Sequence, residues 1–226
     1  MHLECLDSSG FQVRPGMTVE EFLKIDRARI HALTGPIFVE GAEPGDVLQV
    51  AVLEVTHKGW GWSSVINGLG FLKDRFAEPY LFHWQLQEAE TRSLSPAVVP
   101  LRPFCGVMGV ASQQDGEFPT RPPGVFGGNM DVRELCRGSV LYLPVFNSGA
   151  LFSAGDVHAA QGDGEVCING IECPAKVTLR FHVHKRQPLA GPIIESAPRH
   201  GYEVDAWIVV ESAPTLWRGL VAQPPG

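Results

Sequence analysis

The run Ala175-Lys176-Val177-Thr178-Leu179-Arg180-Phe181-His182-Val183-His184-Lys185 alternates apolar and polar residues. Side chains on a strand point to opposite faces with a period of two. Val177, Leu179, Phe181 and Val183 therefore share one face, while Lys176, Thr178, Arg180, His182 and His184 share the other. The pattern predicts a long strand with one face on a core and one in water. Further strands are predicted at residues 47–55, 103–111, 139–145, 165–173 and 206–211. The first of these follows the turn signal Pro44-Gly45-Asp46 and is rich in β-branched residues. Helix signals are few. Thr18-Val19-Glu20-Glu21 reads as a capping box opening a helix that runs to Lys24. Residues 129–135 read as one helical turn.

Composition agrees with a turn-rich β protein. Gly 25 and Pro 18 among 226 residues are too many for long helices, coiled coils or helical repeats. No charge run or Ser-rich linker marks a boundary, so residues 1–226 read as a single domain. The net charge of −7 comes without any basic run, which leaves nucleic acid no electrostatic footprint. Every apolar stretch is broken before 18 residues, so no membrane span is expected. The N-terminus carries no basic and apolar leader, and the five cysteines show no CxxC. Together these predict a cytoplasmic, disulfide-free protein. Few charges on a β body also suggest a homo-oligomer.

The densest polar cluster is Gly155-Asp156-Val157-His158-Ala159-Ala160-Gln161-Gly162-Asp163-Gly164-Glu165. Asp156 and His158, at i and i+2, face the same way in an extended segment. Glycines let the following turn fold Glu165 back towards them. Carboxylates with an imidazole suit a divalent ion such as zinc. Gly-Asp and Asp-Gly pairs also simply make turns, and spacing alone leaves both readings open. In Gly127-Gly128-Asn129-Met130-Asp131, Asn129 or Asp131 reads first as a helix cap. Glu40, after the apolar Ile37-Phe38-Val39, must be paired or edge-facing. His31 reads either as a ligand or as a packed histidine. The Pro/Gly-rich loop at 112–128 is long enough to suggest a functional role.

Taken together, three runs resemble the acetamidase/formamidase family. They are Thr34-Gly35-Pro36-Ile37-Phe38-Val39-Glu40-Gly41-Ala42-Glu43-Pro44-Gly45-Asp46, Gly127-Gly128-Asn129-Met130-Asp131, and Gly149-Ala150-Leu151-Phe152-Ser153-Ala154 continuing through the polar cluster to Glu165. Weaker likeness covers residues 68–84 and 106–111, and the best match spans 28–185. The resemblance implies a mainly β, sandwich or jelly-roll fold with few short helices. It also implies metal-assisted hydrolysis of a small linear amide or lactam to a carboxylate and ammonia, or to an amino acid. By the same resemblance, Asp131, Asp156 and His158 hold a divalent metal, zinc first and calcium second. Glu165 and Asp131 become catalytic, and Asn129, Gln161 and Glu40 contact the small-molecule amide. Relatives carry additional chain at both ends, so the sequence reads as a short, doubly truncated member. Phe126 stands where relatives often have a polar residue, and residues 186–226 match poorly.

Two other readings compete. One is a non-catalytic relative that binds a small ligand or a partner on the same scaffold. The other is a cupin-like metal protein that uses His182 and His184 instead of His158.

Overall fold

A computed structural model of the chain describes residues 1–196 and the backbone of 207–209. The strands, in chain order, are β1 (His2–Cys5), β2 (Leu33–Ile37), β3 (Val47–His57), β4 (Trp60–Val65), β5 (Tyr80–Gln85), β6 (Glu90–Thr91) and β7 (Val99–Pro100). They continue with β8 (Phe104–Gly109), β9 (Gly127–Asn129), β10 (Val140–Pro144), β11 (Phe152–His158), β12 (Ala175–His184), β13 (Ile193–Glu195) and β14 (Trp207–Val209). One sheet has the order β1-β12-β3-β10-β13-β14, and a second has β2-β11-β8-β9. All pairings are antiparallel. The fold is mainly β, as expected.

The alternating run becomes β12, the second strand of the larger sheet, paired with β1 and β3. Val177 and Leu179 are fully buried, while Lys176 and Arg180 are exposed. Its partner β3 keeps the same alternation through Leu48, Val50 and Val52, then changes phase. Thr178 pairs with Glu54 but Leu179 with Val52. Leu53 is the extra residue of this bulge and turns outward, which explains an exposed leucine inside an apolar strand.

The two sheets close on a common core. Leu48, Val50, Leu141, Leu143, Val177 and Leu179 meet Cys105, Met108, Phe152 and Ala154 of the smaller sheet. The Phe152 and Phe181 rings touch edge to face across the gap, 5.1 Å between centroids. A second, smaller core forms where the N-terminal segment lies on the β4–β5 hairpin, with Val13, Phe22, Trp62 and Leu81 buried together. The helix α1 (Val19–Phe22) carries the expected capping box. Thr18 Oγ1 accepts from the Glu21 N–H, and the Glu21 carboxylate accepts from the Thr18 N–H.

Two expected elements differ. Residues 165–173 do not form a strand, because Gly164, Glu165 and Ile168 all take left-handed backbone conformations that break it. Only its end pairs, where Glu172 bridges to His158 and to Trp62. Residues 129–135 are not a helical turn either. Asn129 ends β9, and Asp131, with φ of 49°, takes the chain out of helical geometry. Of the strand expected at 206–211, Trp207–Val209 pairs with β13, and Ala206, Val210 and Glu211 lie outside the described residues. The five cysteines are free thiols. No helix among the described residues is long and apolar enough to cross a membrane.

Leu179→Ala is expected to cost about 3 kcal/mol of stability, since it empties a fully packed position. Arg180→Ala, one residue on but facing water, should stay within about 0.5 kcal/mol. Urea unfolding of the two variants checks the assignment of faces.

Candidate active site

The site begins at Gly106 in β8. Every residue of this strand is buried, and it lies between β11 and β9. Across one edge it faces Asp156, which sits between the paired positions Gly155–Val107 and Val157–Cys105. On the other edge the Gly106 carbonyl accepts from the Met130 and Asp131 N–H groups. A β-carbon on Gly106 would lie 2.5 Å from Asp131 Oδ1 and 3.0 Å from Asp156 Oδ2. The missing side chain is therefore the space in which two carboxylates meet.

His158, two residues after Asp156, closes β11. Its Nε2 lies 3.5 Å from Asp156 Oδ1 and 3.0 Å from Glu172 Oε1. Glu172 reaches it because residues 159–172 form a closed excursion. Backbone bonds Ala159 N–H to Ile171 O, Ile171 N–H to Ala160 O and Cys173 N–H to Val157 O bring Glu172 directly opposite His158. Glu165, on the same excursion, stands 3.9 Å from His158 Nδ1. The ligand-type atoms of Asp131, Asp156 and His158 lie within 4.8 Å of one another, as do those of His158, Glu165 and Glu172.

These groups floor a cavity of about 310 Å³. Phe22, Ile25, Trp62 and Ile168 supply apolar wall, and Arg27 and Arg121 stand among the lining residues. Asn129 also lines it. Its Nδ2 donates to the Arg121 carbonyl, and its buried Oδ1 has no partner. Gln161 does not line the cavity but works behind it. Its Nε2 donates to the Asp131 carbonyl at 2.8 Å, which fixes the amide so that Oε1 accepts from His158 Nδ1 at 2.7 Å. His158 is thereby oriented with Nε2 towards the acids.

Of the residues expected at the site, Asp131, Asp156, His158, Glu165 and Asn129 line one cavity. Two residues expected to contact the amide, Gln161 and Glu40, are not among those lining the cavity. Glu40 is exposed in the turn after β2 and lines no part of the cavity. Asp163 is exposed and paired with Arg133 at 2.7 Å. His182 and His184 lie on the outer face of the larger sheet, where His184 meets Gln49. The omission is Glu172; His31, read either as a ligand or as packed, lines the cavity with its Nε2 3.7 Å from Asp156 Oδ2. Glu172 carried a usable signal: an acid between Ile171 and Cys173 on a segment leading into the core must have a buried partner.

The electrostatics follow from crowding. Asp131 Oδ1, Asp156 Oδ1, Glu165 Oε1 and Glu172 Oε2 are buried with no hydrogen-bond donor. Burial, reinforced by Glu165 and Asp156, pushes the Asp131 carboxyl up to about 8. Burial likewise pushes Glu172 up to about 7 against the pull of His158, and raises Glu165. His158 resists its own burial, because Glu172 and Asp156 hold its imidazolium well above the ordinary range. Burial opposes the Asp156 charge too, but His158 and His31 together with Glu172 outweigh it and that carboxyl is lowered. Burial pushes His31 down.

A model of the Acetamidase/Formamidase family matches residues 1–116 and 116–215. The chain belongs to this family. Among acetamidase/formamidase relatives it is 27% identical to the formamidase of Methylophilus methylotrophus, over 87% of this chain and 63% of that protein. The crystal structure of an acetamidase from Bacillus halodurans superposes with a TM-score of 0.80 at 32% identity, covering 86% of this chain and 65% of the other. A gamma lactamase from Delftia acidovorans superposes with a TM-score of 0.81 at 25% identity, covering 88% and 64%. The chain spans less than two thirds of the length of each of these three relatives.

Asp131 yields a pH test on chelator-treated protein. Its folded value near 8 lies above the ordinary 3.8, so its contribution to stability is full below about pH 4. That contribution is lost as the pH rises through about 8. Asp131→Asn keeps the shape and cannot ionise. Its melting temperature should match wild type near pH 4 and exceed it above pH 8, with an advantage on the order of 2 kcal/mol. Thermal melts across that range measure it.

Proposed function

We propose that the chain hydrolyses a small amide to a carboxylate and ammonia, or opens a small lactam, with a divalent cation held at the floor of the cavity. One observation carries this: four carboxylates and an imidazole converge there with buried oxygen atoms that no donor satisfies. Such atoms fit a cation, which replaces several weak donors by one strong charge. Asp131, Asp156 and His158 would hold it, with Glu172 beside them at 3.0 Å from His158 Nε2. The oxygen-rich set with one imidazole suits zinc first and calcium second. A bound divalent ion supplies Lewis acidity that polarises the amide carbonyl and acidifies water.

The chain's own residues supply the rest. Hydrolysis moves one proton from water to the departing nitrogen, because an amide nitrogen leaves only once it is protonated. Glu165 has the position and the raised affinity for a proton to carry this transfer. Asn129 Oδ1, buried and without a donor, accepts from the substrate's amide N–H. Phe22, Trp62 and Ile168 exclude water beside these groups, which strengthens every polar contact in the cavity. A cavity of about 310 Å³ sits at the small end of ligand sites and favours short amides over long ones. The formamidase, acetamidase and gamma lactamase names of the relatives support the same class of reaction.

Ammonia release from formamide and acetamide, and ring opening of a γ-lactam, tests the proposal on chelated and zinc-reconstituted protein. Turnover should require the cation. Asp156→Ala and His158→Ala should lose both cation binding and activity. Glu165→Gln should keep cation affinity within a few-fold while kcat falls by about 10²-fold or more. A folded, zinc-loaded protein with no turnover on the whole panel would favour the ligand-binding reading instead.

A further inference from the structure

The residues around the cavity grade from a buried floor to an exposed mouth. Its acids are buried or half-buried, and among the described lining residues only Arg27, Arg121 and Ile168 are exposed. Two of the three residues at the mouth are therefore arginines, in a chain of net charge −7. Among the described residues, neither guanidinium has a hydrogen bond or an acidic partner. Arg14, Arg92 and Arg133, by contrast, are each paired with a carboxylate. The two cations at the mouth thus stay apart from the acids of the floor.

Both arginines are held by their backbone. Arg27 opens a short 3-10 turn, Arg27–Arg29, which Asp26 caps by accepting from the Ala28 N–H at 3.0 Å. Gln12 grips Asp26 in turn. Its Oε1 accepts from the Asp26 N–H at 2.8 Å, and its Nε2 donates to the Asp26 carbonyl at 3.0 Å. The Arg27 carbonyl accepts from the Ile30 N–H, and the Ile30 carbonyl accepts from Thr120 Oγ1 at 3.2 Å. Thr120 precedes Arg121, whose own carbonyl accepts from Asn129 Nδ2 at 3.1 Å. Two segments distant in sequence therefore meet at Ile30, and each brings one arginine to the same mouth. The Arg121 charge acts on the His31 imidazole, which lines the cavity.

Unpaired guanidiniums on fixed backbone suit a carboxylate, whose two oxygens match their planar N–H geometry. Acetamide offers them no negative group, and a cavity of about 310 Å³ has room beyond so small a molecule. The acids of the floor would repel an anion, and positive groups at the mouth offset that repulsion and steer it inward. We propose that the substrate is an amide that carries a carboxylate, a short monoamide of a dicarboxylic acid, with its amide at the floor and its carboxylate on Arg27 and Arg121. Hydrolysis breaks its C–N bond, forms a C–O bond to the oxygen of water and releases the dicarboxylate and ammonium. The inference rests on the amidase reading above, and the test separates the two.

Turnover of succinamate is compared with that of succinamide, which has the same shape without the charge, on zinc-reconstituted full chain. Wild type should prefer succinamate by about 10-fold or more in kcat/KM, and the preference should shrink as salt rises. Arg27→Gln and Arg121→Gln should each remove most of this preference. The loss should fall mainly on KM, because the carboxylate lies away from the reacting atoms. Arg121→Lys should restore part of it. Equal turnover of the two amides by wild type, or losses in the variants that are the same for both, overturns the proposal and leaves the amidase reading standing. If neither amide turns over, calorimetry with succinate and acetate decides. Succinate binding weakened about 10-fold by either glutamine variant, with acetate binding unmoved, upholds the carboxylate site without the amidase reading. Succinate binding that ignores both arginines, or no succinate binding at all, overturns it.

Discussion

Four carboxylates cannot share one buried volume as four charges. Every other feature of the site answers to this constraint. Without a cation the cluster neutralises itself with protons: Asp131 and Glu172 hold theirs to about 8 and about 7, and His158 becomes the internal positive charge. The groups that draw these protons could have been diluted by serine or asparagine, at a gain in stability. Acids held there with orphaned oxygen atoms accord with the cation proposed above. A divalent ion is the smallest object that satisfies several carboxylate oxygens at once.

The scaffold meets that demand by local strain and local absence. Asp131, Asp156 and Glu165 all take left-handed backbone conformations, with φ of 49°, 53° and 40°. Such conformations cost non-glycine residues roughly 1–3 kcal/mol, although aspartate tolerates them better than most. Each departure turns a carboxylate out of the regular alternation of its segment and into the cavity. Gly106 contributes what it lacks, since any β-carbon there would meet both aspartates. The surrounding rigidity comes from strands buried along their whole length. β8 and most of β11 are pinned between neighbours in a sheet whose other side is the main core. Strain held on edge strands would relax, whereas here it cannot.

The same contrast decides what could be read from the sequence. β12 was legible because one of its faces meets water, and water writes a period of two into the residues. β8 is buried on both faces, so its residues show no alternation. The capping box at Thr18 was legible because its chemistry is entirely local. The helical turn at 129–135 failed because Asp131 is set by its N–H bond to Gly106, a residue 25 positions earlier in the chain. Glu165 and Asp163 looked alike in sequence, yet one turns inward and the other pairs with Arg133 on the surface. Glu172 escaped because it belongs to the cluster only through cross-strand pairing with His158. Glu40 had the opposite fate: its run resembles the family's, but it stands exposed in the turn after β2 and is not among the residues lining the cavity. Proximity along the chain revealed half of the site, and register between strands assembled the rest.

That register also joins the floor of the cavity to its wall. The acids stand on the sandwich, whose core is one cluster, while Phe22 and Trp62 belong to the separate core of the N-terminal segment and the β4–β5 hairpin. Two independent cores would let the wall drift relative to the floor. Backbone bonds prevent it: Trp62 N–H donates to the Glu172 carbonyl at 2.9 Å, and Glu172 N–H donates to the Trp62 carbonyl at 2.8 Å. Gly61 permits that approach, because a β-carbon there would lie 2.7 Å from the same Glu172 carbonyl. On its far side the Trp62 ring rests against Phe22, 5.7 Å between centroids, which α1 delivers to the cavity. The four-residue helix would be a poor structure alone. Its value lies in this chain of contacts, through which a local cap at Thr18 sets the distance between an apolar wall and the carboxylates it faces.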